Sequence, residues 1–324
     1  MASTVIANPT PSPAKAFARR LVGGDQLAFA ITLTFASSIL LVTVLLVWQL
    51  YSKSAAARQQ FGFGFFTSSV WDPSHEIFGA LPFIYGTLLT SALALLIAVP
   101  LGVGAAIFLS EMAPRRLSNI ATFLVELLAA VPSVIYGLLA IFTLIPLLRT
   151  YGEPFLRATL GFLPFFNGPI YGVGYLAAGI ILAIMTFPFI ISLSREALMD
   201  VPNDQREAAL ALGATKWEAT WQAVVPFARL GIIGSIFLGL ARALGETMAV
   251  TMVIGNTPTI SASLFAPGTT IAASIANEFA EASGDIYLAS LIYLALVLFL
   301  LTMVINGLAR ILILATTKKG SALA

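Results

Sequence analysis

Three charged side chains lie inside otherwise apolar stretches of the sequence, where an anionic cargo could meet them. Arg242 and Glu246 are four residues apart, so a helix would carry both on one face. Glu126 is the only other charge well inside an apolar stretch. Charges within a membrane are costly and usually functional, and the planar arginine fork can bond two oxygens of a phosphate or another oxyanion at once. We therefore predict a substrate path past Arg242.

Either glutamate is a suitable partner for the arginine while such a path is empty. Glu246 or Glu126 would pair with Arg242 until the arriving anion replaces the carboxylate. The alternative is a permanent structural ion pair, which is the favoured interpretation for Glu126.

The polar stretch 203–226, between two apolar runs, has the pattern of a helix–turn–helix at a membrane surface. Asp204 and Glu207 have the spacing of a capping box, which predicts a helix start. Gly213 follows good helix formers and suits a left-handed helix end. We predict helices over 205–212 and 216–224, with the second ending at Pro226. The side chains expected to point outward are Arg206, Glu207, Lys216 and Glu218, and those expected to pack are Ala208, Ala209, Leu212, Trp217 and Trp221.

The composition is that of an all-α integral membrane protein. Of the 324 residues, 59% are hydrophobic and 10% are charged. The basic residues are dispersed along the chain, so the net charge of +2 gives no indication of nucleic-acid binding, and no nucleic-acid partner is expected. The chain has no cysteine and one histidine, so disulfides, thiolate ligands and histidine clusters are excluded. His75, between Asp72 and Glu76, is interpreted as part of a solvated loop, and no metal site is predicted.

No arrangement of residues predicts catalysis by this chain. The sequence has no G-x4-G-K-[ST] motif to cradle ATP, and no nucleophile–base pair stands out. We therefore expect no enzyme activity and no cofactor in this chain.

Six stretches are long and apolar enough to cross about 30 Å of hydrocarbon. They are predicted over 26–52, 85–109, 119–147, 173–194, 230–255 and 286–309. With the amino terminus inside, twelve basic residues fall in inner segments and four in outer loops. The positive-inside rule therefore puts both termini in the cytoplasm. The resulting domains are a cytoplasmic tail over 1–26, a six-span domain over 27–312 and a cytoplasmic tail over 313–324.

Two segments that are predicted to lie outside have sequence patterns that indicate more than a connecting loop. The segment 161–172 is apolar and rich in turn residues, so it could be re-entrant or cover the outer mouth. The segment 269–282 has a helical pattern and could lie along the outer surface. Either could receive a partner from outside or serve only in packing.

The polar stretch carries a recognisable motif. Glu207, Ala208, Ala209 and Gly213, with Pro226 nineteen residues after Glu207, resemble the EAA loop of permease subunits of bacterial ABC importers. The resemblance implies the six-helix fold of type I importers (MetI-like), with a core at about 80–312. It also implies that this EAA loop (203–226) docks on a partner ATPase, which would bind the ATP and magnesium.

Two further strings narrow the resemblance. Residues 242–250 (RALGETMAV) and 126–133 (ELLAAVPS) are similar to the phosphate-specific branch of these permeases, and the chain length and long first outer loop favour its PstC-like members. This implies a heterodimer with a PstA-like subunit, two copies of an ATPase, and a periplasmic phosphate-binding protein, in the bacterial inner membrane. It also implies that Arg242 and Glu246 lie on the phosphate path.

Three other functions remain open from the sequence. The cargo could be another oxyanion (sulfate, molybdate or phosphonate), since one arginine does not distinguish tetrahedral anions. An ion-coupled carrier could use Arg242 for the anion and a glutamate for a proton, although no internal repeat supports it. A non-transporting membrane anchor is the third.

Overall fold

The structure is a computed structural model that describes residues 25–321. It divides into two units, 1–52 and 53–324. Most of the predicted tail over 1–26, including Lys15, Arg19 and Arg20, lies outside the described residues. The described part of the first unit is helical.

Helices dominate the described part of the chain. In chain order they are α1 (Asp25–Lys53), α2 (Ala55–Phe61), α3 (Gly64–Thr67), α4 (Leu81–Ile107), α5 (Arg115–Ala130), α6 (Ser133–Leu139), α7 (Ile145–Leu147), α8 (Glu153–Leu160), α9 (Tyr175–Met199), α10 (Asn203–Ala211), α11 (Lys216–Ala219), α12 (Val225–Gly245), α13 (Met248–Thr251), α14 (Ile271–Glu278) and α15 (Asp285–Ser321). A short hairpin pairs β1 (Trp71–Asp72) with β2 (Ile77–Phe78), with Trp71 opposite Phe78.

Six helical stretches are long and apolar enough to cross a membrane, as the sequence predicts. They are Gln26–Lys53, Leu81–Met112, Ser133–Leu160, Tyr175–Met199, Lys216–Gly245 and Asp285–Ile311. The first, second, fourth and sixth agree with the predicted spans to within a few residues. The third and fifth differ, for physical reasons given below.

The fourth span, α9, is the centre of the second unit. Of its most apolar stretch 67% is buried, against 39% or less in the other spans of that unit. Small residues allow the close packing: a Cβ on Gly179 would meet Leu93 at 2.7 Å, and one on Gly102 would meet Ile190 at 2.8 Å. Between apolar helices in a membrane, such small residues let the backbones approach and gain van der Waals contact. The span α9 therefore fixes α4 beside it.

The predicted third span, 119–147, is wrong. Helix α5 ends at Ala130, and Val131 and Pro132 are extended. Proline disfavours the helical conformation of the residue before it and has no N–H to donate, so the helix stops there. The spanning stretch starts afterwards, at Ser133. Helix α5 is a separate element whose exposed apolar residues include Leu117, Ile120, Phe123, Leu124 and Leu127.

The predicted fifth span, 230–255, and the helix end at Pro226 are also wrong. One continuous helical stretch runs from Lys216 to Gly245, and Pro226 lies in the first turn of α12. A π-helical turn, Thr220–Val224, precedes that proline, and the N–H of Val225 donates to the carbonyl of Thr220. The wider turn relieves the clash that a proline ring makes with the carbonyl four residues earlier.

The same association of a π turn with a proline recurs along the chain. The π turns Phe108–Met112, Ala140–Leu144 and Leu148–Gly152 each end two residues before a proline. These prolines are Pro114, Pro146 and Pro154. Proline is therefore accommodated in these stretches by a widened helical turn, and of the three only Pro114 follows a break, where Ala113 is extended and the helical stretch ends.

Both segments that are predicted to lie outside pack against the rest of the second unit. In the segment 161–172, the carbonyl of Phe165 accepts from the N–H of Leu264 at 2.8 Å. The buried Glu153 accepts from the N–H of Gly172 at 3.1 Å. The helical pattern in 269–282 is confirmed as α14, but the first half of that helix is buried, so it does not lie along the surface. Its last residue, Glu278, accepts from Trp71 of the hairpin at 2.8 Å.

Candidate functional site

Arg242 lies half-buried near the end of α12, and it pairs with no carboxylate in the part of the chain that the structure describes. Its guanidinium carbon is 4.2 Å from the centre of the Phe189 ring on α9, which is cation–π distance. The Nε atom is buried and has no hydrogen-bond partner. The charge is also close enough to Tyr136 for a Coulomb interaction with that side chain. Arg242 is thus held by an aromatic face while hydrogen-bond donors stay free for an oxyanion.

Glu246 is not a partner of Arg242 in this structure. Helix α12 ends at Gly245 and Glu246 is extended, with φ −69° and ψ 129°, so the expected one-face spacing of the two residues does not apply. The Glu246 carboxylate instead accepts from the N–H of Ala249 at 3.4 Å, in the first turn of α13. No ion pair joins Arg242 to a described residue. The ion pair that was predicted to hold Arg242 while the path is empty is therefore not present in the described structure.

Glu126 lies outside the six spanning stretches. It is exposed in the fourth turn of α5, and that helix breaks at Val131 before the third span begins. The prediction that Glu126 sits well inside an apolar span is therefore wrong. The break itself is bridged by Tyr136, whose hydroxyl donates to the carbonyl of Leu128 at 2.8 Å.

The EAA loop folds as the predicted pair of helices around a left-handed glycine. Helix α10 covers Asn203–Ala211, and Gly213 has φ +90°. The predicted capping box at Asp204 is wrong, since the first residue before α10 is Pro202 and no side chain caps it. The capping box forms in the second helix, where the Thr215 hydroxyl accepts from the N–H of Glu218 and the Glu218 carboxylate accepts from Thr215.

The outer face of the EAA loop is apolar and uncovered. Leu212 is 90% exposed, and Trp217 and Trp221 are about half exposed, with their rings 5.5 Å apart in an edge-to-face contact. Glu207, Ala208 and Pro226 are exposed, whereas Ala209 is half-buried. A cavity of about 490 Å³ opens between the two helices, lined by residues that include Ala208, Ala209, Leu212, Gly213 and Gln222. Exposed apolar surface rimmed by polar groups is typical of a protein-binding site.

Arg206 does not point outward as the sequence suggested. Its guanidinium forms a salt bridge with Glu111 at 2.9 Å, and both side chains are largely buried. It also donates to the carbonyls of Leu198 at 2.7 Å and of Val201, at the end of α9. The EAA loop is therefore clamped to the ends of the second and fourth spans. In the sequence, the only signal for this clamp is an acid, Glu111, directly after an apolar span.

The His75 side chain stabilises the short turn in which it lies. Its Nδ1 lies 2.6 Å from Asp72 Oδ2, and the Asp72 carboxylate also accepts from the N–H of Ser74. The hydrogen bond from His75 holds the pKa of the exposed Asp72 carboxyl below its usual value. This arrangement caps the short 3₁₀ turn between the two strands.

Comparison with known proteins identifies a protein family that this sequence matches. Residues 98–318 match the family model of binding-protein-dependent transport system inner membrane components. A protein of Mesorhizobium japonicum, named phosphate transport system permease protein PstC, is 47% identical over 91% of this chain and 92% of its own length. A probable phosphate transport system permease protein PstC of Methanocaldococcus jannaschii is 38% identical over 85% of this chain and 89% of its own.

Two solved structures share the fold. A bacterial ABC transporter that imports the polysaccharide alginate superposes with a TM-score of 0.58, over 90% of this chain and 98% of that one, at 18% identity. The MetNI methionine ABC transporter in an inward-facing form gives a TM-score of 0.54, over 76% of this chain and 99% of that one, at 17% identity. The predicted six-helix, MetI-like fold is confirmed by these matches.

Proposed function

The chain belongs to the family of binding-protein-dependent transport system inner membrane components, and we propose that it is the permease subunit through which an ATP-driven importer moves inorganic phosphate. An anionic cargo is supported by Arg242, whose half-buried guanidinium has a free buried donor and is bound to no carboxylate of residues 25–321. The relatives named as phosphate permeases support phosphate as that anion.

In this proposal Arg242 makes the contact with phosphate. Its fork bonds two phosphate oxygens, and these charge-assisted bonds replace water lost by the anion. Phe189 orients the guanidinium from behind. Glu246 has a supporting role at the break after Gly245, where it caps the start of α13. Glu126 has no proposed role on the path, since it is exposed on α5.

The EAA loop would couple this path to a partner ATPase. Its exposed apolar face supplies the docking surface, and the salt bridge from Arg206 to Glu111 passes a displacement of the loop on to the second and fourth spans. ATP and magnesium would be bound, and ATP hydrolysed, by the partner and not by this chain. Closure of two ATPase copies would then open the path outward, and their separation would open it inward.

The proposed orientation has both termini and the EAA loop in the cytoplasm. The distribution of basic residues supports it, because lysine and arginine are retained on the cytoplasmic side of a membrane. The remaining partners are a PstA-like permease subunit and a periplasmic phosphate-binding protein, in the bacterial inner membrane. Release of phosphate from that protein into the path would follow docking at the outer side.

Uptake of labelled phosphate at low external concentration tests the proposal. Deletion of this chain should abolish uptake, the intact chain should restore it, and unlabelled sulfate and molybdate should not compete. Arg242→Ala should lower uptake roughly tenfold or more, because charge-assisted hydrogen bonds contribute about 1.5–3 kcal/mol. Arg310→Ala, which removes an exposed arginine of α15, is the matched control and should behave as wild type.

Two results would contradict the proposal. If sulfate or molybdate uptake falls on deletion while phosphate uptake is unchanged, the importer is right and the cargo is wrong. If no oxyanion uptake changes, the transport function itself is wrong.

A further inference from the structure

A basic cavity lies beside the π turn whose Glu111 holds the EAA loop. It has a volume of about 280 Å³ and sits among the end of α4, the start of α5 and the end of α9. The residues that line it include Leu109, Ser110, Arg115, Ser118, Asn119 and Arg195. None of them belongs to the proposed phosphate path or to the docking face of the EAA loop.

Arg195 brings unused hydrogen-bonding capacity into this cavity. It is half-buried, and its Nη2 donates to the Ser118 hydroxyl over a long 3.4 Å. Ser118 in turn donates to the carbonyl of Leu109 at 2.8 Å, so it is oriented as an acceptor toward the arginine. The Nε atom of Arg195 is buried and has no hydrogen-bond partner. A buried arginine donor without a partner is unfavourable until something occupies it.

The cavity is positive and lacks a counter-charge of its own. Arg115 lines it from the exposed side, and no carboxylate is among the described residues that line it. Neither Arg115 nor Arg195 forms an ion pair with a residue that the structure describes. The two arginine forks and the Asn119 side-chain amide line the same cavity, and these are N–H donors of the kind that a tetrahedral oxyanion accepts.

We propose that this cavity binds a phosphate group, with Arg195 as its main ligand and Arg115 as a second. Two sources share that chemistry: the phosphodiester headgroup of an anionic lipid and free inorganic phosphate. Basic pockets between membrane helices are favourable sites for anionic headgroups. A cavity of this size is much larger than the roughly 30 Å³ share of one water molecule.

The position of the cavity gives occupancy a consequence for the EAA loop. Leu109 and Ser110 line the cavity, and Glu111, the next residue in the same π turn, holds Arg206 of the loop. A phosphate group bound by Arg195 and Arg115 would fasten this turn between α4, α5 and α9. The site therefore acts as an anion-dependent support of the clamp and goes beyond the proposed transport path.

Two binding measurements test the site and separate its sources. The full-length chain, purified with the subunits that accompany it, carries Arg242→Ala throughout so that phosphate on the transport path is not counted. Native mass spectrometry measures retained phosphatidylglycerol, and equilibrium dialysis measures labelled inorganic phosphate. Arg195→Gln is compared with Arg229→Gln, which removes an exposed arginine that does not line the cavity.

We expect one of the two ligands to bind to the reference protein and to Arg229→Gln, and Arg195→Gln to weaken that binding roughly tenfold or more, the effect of losing a charge-assisted hydrogen bond. Retained phosphatidylglycerol identifies the lipid as the source, and bound inorganic phosphate identifies the free anion. Absence of both, or equal binding by Arg195→Gln, overturns the proposal. Should Arg195→Gln fail to fold, Arg195→Lys decides, because a lysine keeps the charge without the fork: equal binding overturns the proposal, and weaker binding supports it.

Discussion

At the scale of single residues, the surroundings of Arg242 determine what it can bind. A carboxylate partner would satisfy the fork and have to be displaced by every arriving anion. The Phe189 ring instead lies 4.2 Å from the guanidinium carbon, and the buried Nε has no hydrogen-bond partner among the described residues. A cation–π contact contributes about 0.5–2 kcal/mol. It positions the arginine without competing for the atoms that bind an oxyanion.

The capping role of Glu246 leads to a prediction that distinguishes its hydrogen bond to Ala249 from its negative charge. In Glu246→Gln the amide oxygen can still accept from Ala249, so we expect phosphate uptake within roughly twofold of wild type. In Glu246→Ala the buried N–H of Ala249 loses its partner, which costs about 1–3 kcal/mol, and uptake should fall clearly further. Both variants are measured by labelled phosphate uptake, normalised to the amount of protein in the membrane.

The opposite pattern would contradict this interpretation of Glu246. If Gln is as harmful as Ala, the negative charge itself is needed, and the exchange of Arg242 between a carboxylate and phosphate gains support. Glu126→Gln is the matched control, since it neutralises an exposed carboxylate that lies outside the spans.

At the scale of elements, the salt bridge between Arg206 and Glu111 joins the EAA loop to the second span. The two side chains are only 20% and 11% exposed, so breaking the bridge should cost about 2 kcal/mol, less than a fully buried pair. We expect Arg206→Gln and Glu111→Gln each to lower the thermal stability and to reduce phosphate transported per ATP. The double variant should be less harmful than the sum of the two, by about 0.5–3 kcal/mol in a double-mutant cycle.

Additive effects of Arg206→Gln and Glu111→Gln would show that the two residues do not act together. Arg116→Gln removes an exposed arginine next to the same π turn and provides the control for a change of charge alone.

Gly213 permits a second prediction at this scale. Its φ of +90° is unfavourable for other residues, and a Cβ there would meet no atom within 4 Å, so the effect of Gly213→Ala is purely conformational. The cost should be about 1–2 kcal/mol. Gly284, with φ +94° and equally open surroundings, is a matched control far along the chain. Both variants should lose similar stability, but only Gly213→Ala should raise the ATP hydrolysed per phosphate imported.

Four of the six spans could be predicted closely because long uncharged runs leave few alternatives. The third failed because the apolar pattern continues through Val131 and Pro132, and only the backbone conformation reveals that α5 ends there. The fifth differs because a proline in a sequence indicates a helix end as well as a helix start, and Pro226 lies in the first turn of α12. In the structure, the π turn before Pro226 accommodates the proline ring. A π turn has no characteristic hydrophobic periodicity, so the sequence pattern does not predict it.

The candidate site was predictable in its residue types and less so in its pairs. Arg242 and the left-handed Gly213 follow from charge and turn chemistry. The partners of Arg206 and Arg195 do not, because they come from residues about 80 to 100 positions away, brought close by the packing of α4, α5 and α9. The expected pair of Arg242 with Glu246 failed for a local reason, the end of the helix at Gly245.

At the scale of the whole second unit, one helical stretch connects the two proposed functional surfaces. Lys216 to Gly245 is continuous, with the EAA loop at its start and Arg242 near its end. At about 1.5 Å per residue, the two are roughly 39 Å apart along the axis. The π turn at Thr220–Val224 is the place where this stretch departs from a regular helix, and such turns often mark functional positions. A movement of the docked loop would therefore reach Arg242 through a single stiff element with one adaptable turn.

Transport by this mechanism requires the EAA loop to face the ATPase in the cytoplasm, and the absence of native cysteine makes that orientation testable. Phe63 and Leu212 are both 90% exposed, one in the connection between the first and second spans and one in the EAA loop. A membrane-impermeant maleimide should label Phe63→Cys in spheroplasts and Leu212→Cys only in inverted vesicles, because the positive-inside rule puts the loops on opposite sides. The unaltered chain should not be labelled in either preparation. Labelling with the two sides reversed would place the docking surface away from any cytoplasmic ATPase, and the coupling mechanism would then be wrong however phosphate uptake responds to Arg242.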